Sequence, residues 1–195
     1  MITIIDYGAG NLKSVEKALR FLGHEARVTD DCGAIAAAEK LILPGVGSFG
    51  NAMEKLKRKG LDRLLREVSV PLLGICLGLQ LLFNYSEESD CAGLGLLRGN
   101  IVKIPDTGLK IPQIGWNSLR VKGGRLLDGV ADGSYVYFVH SYYLEAGEKS
   151  IVSATVDYGA PLDVAVERGN LFAAQFHPEK SGAVGLKILE NFARI

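Results

Sequence analysis

In the first half of the chain, short unbroken apolar runs alternate with stretches whose apolar residues recur at helical spacing, and few folds accommodate that alternation. Ile2–Asp6, Lys40–Leu43 and Val70–Ile75 are short, largely apolar runs, and Glu25–Val28 is a further strand candidate. A strand that is apolar on both faces has to be covered on both, as parallel strands inside a sheet are. Between the strands, Leu12, Val15, Leu19 and Leu22 mark a helix closed by Gly23. Phe49, Met53 and Leu56 mark a second, and Leu77–Phe83 a third. The alternation predicts an α/β fold with a mostly parallel central sheet flanked by helices.

The second half changes character. Asn100–Ile104, Ser118–Val121, Tyr135–Val139, Ile151–Thr155, Asp163–Glu167 and Leu171–Gln175 are strand-like, separated by turn signals such as Gly123-Gly124 and Asp132-Gly133. That pattern predicts an added antiparallel portion, closed by a helix over Ala183–Ala193. With no internal repeat and no Pro/Ser-rich linker, the 195 residues read as a single domain, 1–195.

Charge and composition exclude several function classes. Twenty-two basic residues balance twenty-two acidic ones without a Lys/Arg block, so nucleic acid is not an expected partner. No apolar run approaches the roughly 20 residues that span a bilayer, and the N-terminus lacks the features of a signal peptide, so a membrane is not expected either. The three cysteines, at 32, 76 and 91, form neither a disulfide framework nor a Cys-x-x-Cys zinc pair. A reducing cytoplasm is the expected compartment, and Cys32 and Cys91 read as passengers.

Chemistry concentrates in three places. Gly74-Ile75-Cys76-Leu77-Gly78 lies where a buried strand meets a helix. This is the thiol version of the nucleophile elbow: flanking glycines relieve a crowded turn, and the helix start offers unpaired N–H groups to a thiolate. The Leu77 N–H can also face a developing oxyanion. A thiol nucleophile needs a base. Of the three histidines, His24 reads as a solvated loop position and His140 as a packing or supporting residue. His177 ends a strand in Gln175-Phe176-His177-Pro178-Glu179, with a carboxylate two residues on that can orient the ring. Pro44-Gly45-Val46-Gly47 follows another strand, and its glycines let the Val46 or Gly47 N–H turn towards a ligand. Gly8-Ala9-Gly10-Asn11 lacks the third glycine of a dinucleotide fingerprint and any Gly-Lys-Ser/Thr ending, so nucleotide binding is not expected there.

In that order along the chain, these motifs resemble the class I (triad-type) glutamine amidotransferases, over nearly the whole sequence. Asp6-Tyr7-Gly8-Ala9-Gly10-Asn11-Leu12, Gly115-Trp116-Asn117 and Tyr137-Phe138-Val139-His140-Ser141-Tyr142-Tyr143 are more narrowly similar to the glutaminase subunits of imidazole glycerol phosphate synthases, of histidine biosynthesis. Gln113 departs from the resemblance, which leads one to expect histidine there.

The resemblance implies a flavodoxin-like fold and no metal or organic cofactor. It implies that Cys76 attacks the side-chain amide of L-glutamine, that His177 shuttles the proton and that Glu179 holds His177. N–H groups near Val46 and Gly47 and of Leu77 would form the oxyanion hole. Gln80, Ser141 and Tyr142 would hold the α-amino and α-carboxylate groups. It further implies a heterodimer with a (β/α)8-barrel cyclase that receives the ammonia, with Trp116, Tyr137 and Lys180 near the interface. Activity would be weak until the partner is loaded, through a peptide flip in Pro44–Gly47.

Three rival readings remain open at this point. One is a glutaminase serving another synthase, such as the one that makes pyridoxal phosphate. Another is a catalytically silent, partner-binding homologue. The third is a cysteine hydrolase of peptides.

Overall fold

The computed structural model describes residues 1–195. Its first half runs β1 (Ile2–Ile5), α1 (Leu12–Phe21), β2 (Ala26–Thr29), α2 (Cys32–Ala36), β3 (Lys40–Gly45), α3 (Phe49–Arg58), α4 (Leu61–Glu67), β4 (Leu72–Cys76) and α5 (Leu77–Leu81). The second half holds β5 (Tyr85–Ser86), β6 (Cys91–Ala92), β7 (Gly99–Lys103), β8 (Gln113–Val121), β9 (Tyr135–His140), β10 (Tyr142–Ala146), β11 (Val152–Asp157), β12 (Pro161–Arg168), β13 (Leu171–Ala174) and α6 (Gly182–Arg194).

β2, β1, β3, β4 and β13 lie side by side and all parallel. This is the flavodoxin-like order, in which ligands collect outside the carboxyl ends of the strands. β12 then joins β13 antiparallel and leads to β10 and β7. β11 couples β12 to β8, and β8 pairs with β9 as an antiparallel ribbon. The expected parallel sheet with an antiparallel addition is therefore present.

The continuous apolar strands serve two cores. Ile2, Ile4, Ile42, Leu73, Ile75 and Phe172 pack with Val15 and Leu19 of α1 and Ile188, Leu189 and Phe192 of α6. Ile5, Leu41, Leu43 and Leu72 pack with Ile35, Phe49, Met53, Leu56, Leu61 and Leu77 on the other face. Each fully buried Leu, Ile or Phe contributes about 1.5–3 kcal/mol, so the sheet is held from both sides.

Several expectations shift. The strand expected over Ser118–Val121 is the end of a nine-residue strand that begins at Gln113. Its first half is polar or exposed on one side, which hid it from a hydrophobic pattern. β10 was not expected, and neither were α2 and α4, which are five and seven residues long. α2 is marked by Asp31, whose carboxylate caps the Ala34 N–H at 2.7 Å. β3 continues through Pro44 to Gly45 rather than stopping at Leu43. Its pairing with β1 ends at Ile42 while that with β4 runs on to Gly45, so Pro44 has no β1 residue opposite it.

Candidate active site

Three parallel strands deliver the chemistry to one end of the sheet: β3 brings Val46 and Gly47, β4 brings Cys76, and β13 leads to His177. Cys76 has φ +55° and ψ −109°, one of only two non-glycine residues at positive φ. Side chains there carry a steric cost, which persists only where surroundings enforce it. The enforcement is close packing through glycine. A Cβ on Gly78 would lie 1.7 Å from the Leu43 carbonyl oxygen, and one on Gly74 2.7 Å from the Gly78 oxygen. A Cβ on Gly45 would come within 2.6 Å of Tyr7 Oη and 2.8 Å of Leu77 Cβ. β3, β4 and α5 thus approach through glycines at each contact, and the turn at Cys76 is what connects β4 to α5.

Beyond β13 the chain enters a single 3-10 turn over Pro178–Lys180. His177 Nδ1 lies 2.8 Å from Glu179 Oε1, and both side chains are almost wholly buried. With Nδ1 engaged, Nε2 faces the pocket it shares with Cys76 and makes no conventional hydrogen bond there. Burial by itself would depress the His177 pKa. Interaction with Cys76 and with Glu179 outweighs it and lifts the value to about 9. The turn is anchored to β9: His177 N–H donates to the Tyr137 carbonyl at 3.0 Å, Tyr137 N–H donates to Ser181 Oγ at 2.9 Å, and Ser181 Oγ donates to the His177 carbonyl at 2.7 Å.

A titration follows from this arrangement. A raised folded-state pKa contributes stability that is complete below the unfolded value near 6.5 and is lost as the pH climbs through about 9. Cys76→Ala removes the first of the raising influences. NMR titration of the imidazole should find His177 lower in this variant than in wild type by about a unit or more, with the pH-dependent loss of stability moved down in step. An unchanged His177 would show that Cys76 does not act on it.

The pocket at this end has a volume of about 380 Å³ and is lined by Cys76, His177, Val46, Gly47, Leu77, Gln80, Ser141 and Tyr142, all singled out in the sequence. Gly47 has φ +99° with open space around it, and the Leu77 N–H opens α5, where a helix leaves its first amides without intrahelical partners. Gln80 is differently employed from a free substrate donor. Its Nε2 donates to the Tyr142 carbonyl at 3.0 Å and to Gln175 Oε1 at 3.1 Å, leaving its own Oε1 as the atom available to a ligand. Gln175, fully buried, in turn directs Nε2 at Cys76 Sγ across 3.7 Å.

Two lining residues carry signals that the sequence reading did not use. Glu88 reaches the pocket, and its carboxylate accepts the Phe49 N–H at the start of α3 at 2.7 Å. His140, expected to pack or support, lines the pocket with both ring nitrogens bonded. His24 is not freely solvated as expected: it is half-buried, with Nε2 2.6 Å from Glu190 Oε2 of α6.

Beside the pocket, the outer face of the β8–β9 ribbon is apolar and uncovered. Ile114 pairs with Val139 and Trp116 with Tyr137, and Trp116 is 54% exposed rather than part of the core. Trp116 and Tyr137 meet edge to face at 6.2 Å, and Lys180 Nζ lies 5.9 Å from the Tyr137 ring centre. The three residues expected near an interface are therefore neighbours.

The family described as Glutamine amidotransferase class-I matches residues 3–195. A protein of Moorella thermoacetica named Imidazole glycerol phosphate synthase subunit HisH is 53% identical over the whole chain and 94% of its own length. One of Bacillus cereus with the same name is 52% identical over 98% of this chain and 93% of its own. Among solved structures, a glutamine amidotransferase superposes with a TM-score of 0.77 at 21% identity, covering 100% of this chain and 99% of that one. PurLQS from Thermotoga maritima gives 0.74 at 21% identity, covering 99% and 97%. At such identities the superpositions speak for the fold.

Proposed function

The chain belongs to the class-I glutamine amidotransferases and serves as the glutaminase subunit of an imidazole glycerol phosphate synthase; from that premise we propose that it hydrolyses L-glutamine through Cys76, His177 and Glu179. The observation that carries the reading is a single pocket holding a thiol in an enforced turn and a buried imidazole whose other nitrogen is tied to a carboxylate. Cys76 Sγ attacks the carboxamide carbon while its proton goes to His177 Nε2. The tetrahedral oxyanion is held by the N–H of Leu77 and one from Val46–Gly47. Collapse breaks the C–N bond, His177 gives its proton to the departing ammonia, and a glutamyl thioester remains. Water, deprotonated by His177, then cleaves the thioester to glutamate and free thiol. The interactions with Cys76 and Glu179 that raise the His177 pKa favour the imidazolium formed when the ring takes the thiol proton. This chemistry requires no metal or organic cofactor.

The α-substituents of glutamine find complementary groups. Glu88 supplies the negative charge for the α-ammonium, while Ser141 and Tyr142 take the α-carboxylate side. Glu88→Gln is expected to raise the KM for glutamine by about 10- to 100-fold with kcat changed much less, the pattern of a lost binding contact. Steady-state kinetics decide: an unchanged KM removes Glu88 from substrate recognition.

The partner is a (β/α)8-barrel cyclase, docked on Trp116, Tyr137 and Lys180. Ammonia in bulk water is mostly protonated and unreactive, so delivery across a sealed interface preserves the nucleophile. Three free cysteines suit a reducing cytoplasm. The test is ammonia release by the chain alone and with a barrel cyclase subunit carrying its nucleotide ligand. The expected outcome is weak activity alone and a rise of about tenfold or more on mixing. Full activity without the cyclase would overturn the partner and leave the triad standing.

A further inference from the structure

His140 sits in the pocket with both ring nitrogens bonded, which sets a problem of proton count. Nδ1 lies 2.9 Å from the Tyr142 carbonyl, an acceptor only, so Nδ1 carries a hydrogen. Nε2 lies 2.9 Å from the side-chain amide of Gln113. With the amide oxygen turned to Nε2, both nitrogens must donate and the ring must be an imidazolium. That orientation also leaves Gln113 Nε2 buried without a partner. With the amide turned over, its N–H donates to the lone pair of a neutral ring, and the stranded donor is satisfied. The amide oxygen then takes the partnerless position, and an unpaired carbonyl is less costly than an unpaired N–H.

Surroundings decide between the two. His140 and Gln113 are 6% and 2% exposed. Phe138 flanks the imidazole at 5.5 Å. The ionisable groups that line the same pocket are Cys76, Glu88, Tyr142 and His177. Burial, and the proximity of His177, both oppose a charge on His140 and hold its pKa down at about 4.

We propose that Gln113 is a positioning residue whose side-chain N–H locks His140 as the neutral Nδ1–H tautomer, so that the pocket contains one proton-accepting imidazole, His177, and one that is inert. This rests on the triad reading above. Histidine, the residue that the resemblance leads one to expect at 113, would make the lock depend on its own protonation. A glutamine cannot titrate, so here the lock is independent of pH through the neutral range.

Nitrogen NMR of the three imidazoles in the full chain tests this, with His140 identified by the signals lost in His140→Asn. At about pH 7 the wild type should show a pyrrole-type Nδ1 and a pyridine-type Nε2, unchanged between about pH 6 and pH 8. In Gln113→Glu the carboxylate can only accept, so His140 should become doubly protonated at the same pH. A wild-type ring protonated at Nε2, alone or with Nδ1, would overturn the proposal. So would a Gln113→Glu ring that keeps its bare Nε2. The wild-type spectrum decides even if the variant does not fold. The measurement needs no turnover, so an inactive protein with the expected spectrum would sink the triad reading and leave the lock.

Discussion

Cys76→Ala is expected to lower glutamine hydrolysis by about a thousandfold or more, measured as ammonia release with the loaded cyclase present. The size follows from the role: without sulfur there is no thioester, and the remaining groups can only bind and polarise. The pocket residues that hold substrate are untouched, so glutamine binding should persist within a fewfold. Cys76 is 7% exposed and its side chain is small, so the fold should survive the change. A matching experiment uses a glutamine-like electrophile, which should modify wild type once, at Cys76, leaving Cys32 and Cys91 unlabelled. Hydrolysis that persisted in Cys76→Ala would end the thiol mechanism. Absence of both hydrolysis and Cys76 labelling would favour a partner-binding protein instead.

Gly78→Ala should be the most damaging small substitution to stability. The added methyl would sit 1.7 Å from the Leu43 carbonyl oxygen and 2.8 Å from its carbon. Both are backbone atoms in the middle of the parallel sheet, so relief requires α5 to lift from β3. We expect a loss of about 3–5 kcal/mol, above the usual range for overpacking because the obstacle is main chain. For a chain of this length that is a fall in Tm of about 6–20 °C. Gly47→Ala is the comparison. Gly47 has φ +99° but nothing within 4 Å of a Cβ, so only backbone strain of about 1–2 kcal/mol is incurred. A Gly78→Ala protein melting with wild type would show that the elbow is not closely packed against β3.

Much of this is readable in the sequence. Cys76 announced itself because a nucleophile elbow is a local structure, with strand, glycine, nucleophile and glycine inside five residues. His177 and Glu179 were legible for the same reason, being two residues apart in an extended segment where Pro178 restricts the backbone. Trp116, Tyr137 and Lys180 could be grouped only through resemblance, since they are brought together by the β8–β9 register and by the turn after β13. α2 and α4 escaped because a hydrophobic period needs more turns than they contain. His24 looked solvated because nothing near it in sequence reveals Glu190, 166 residues away.

The sequence by itself determined the class of fold, the longer strands and helices of its alternation, and the candidates for nucleophile, base and orienting carboxylate, because each is written in residues adjacent along the chain. The tertiary structure decided how those parts are supplied. It set Gln175 against the sulfur with Gln80 behind it, turned Glu88 into the pocket from beyond α5, and paired Gln113 with His140 across two strands. These are contacts between groups many residues apart. Their free energy depends on distance, direction and burial, quantities that exist only once the two cores have closed around the sheet.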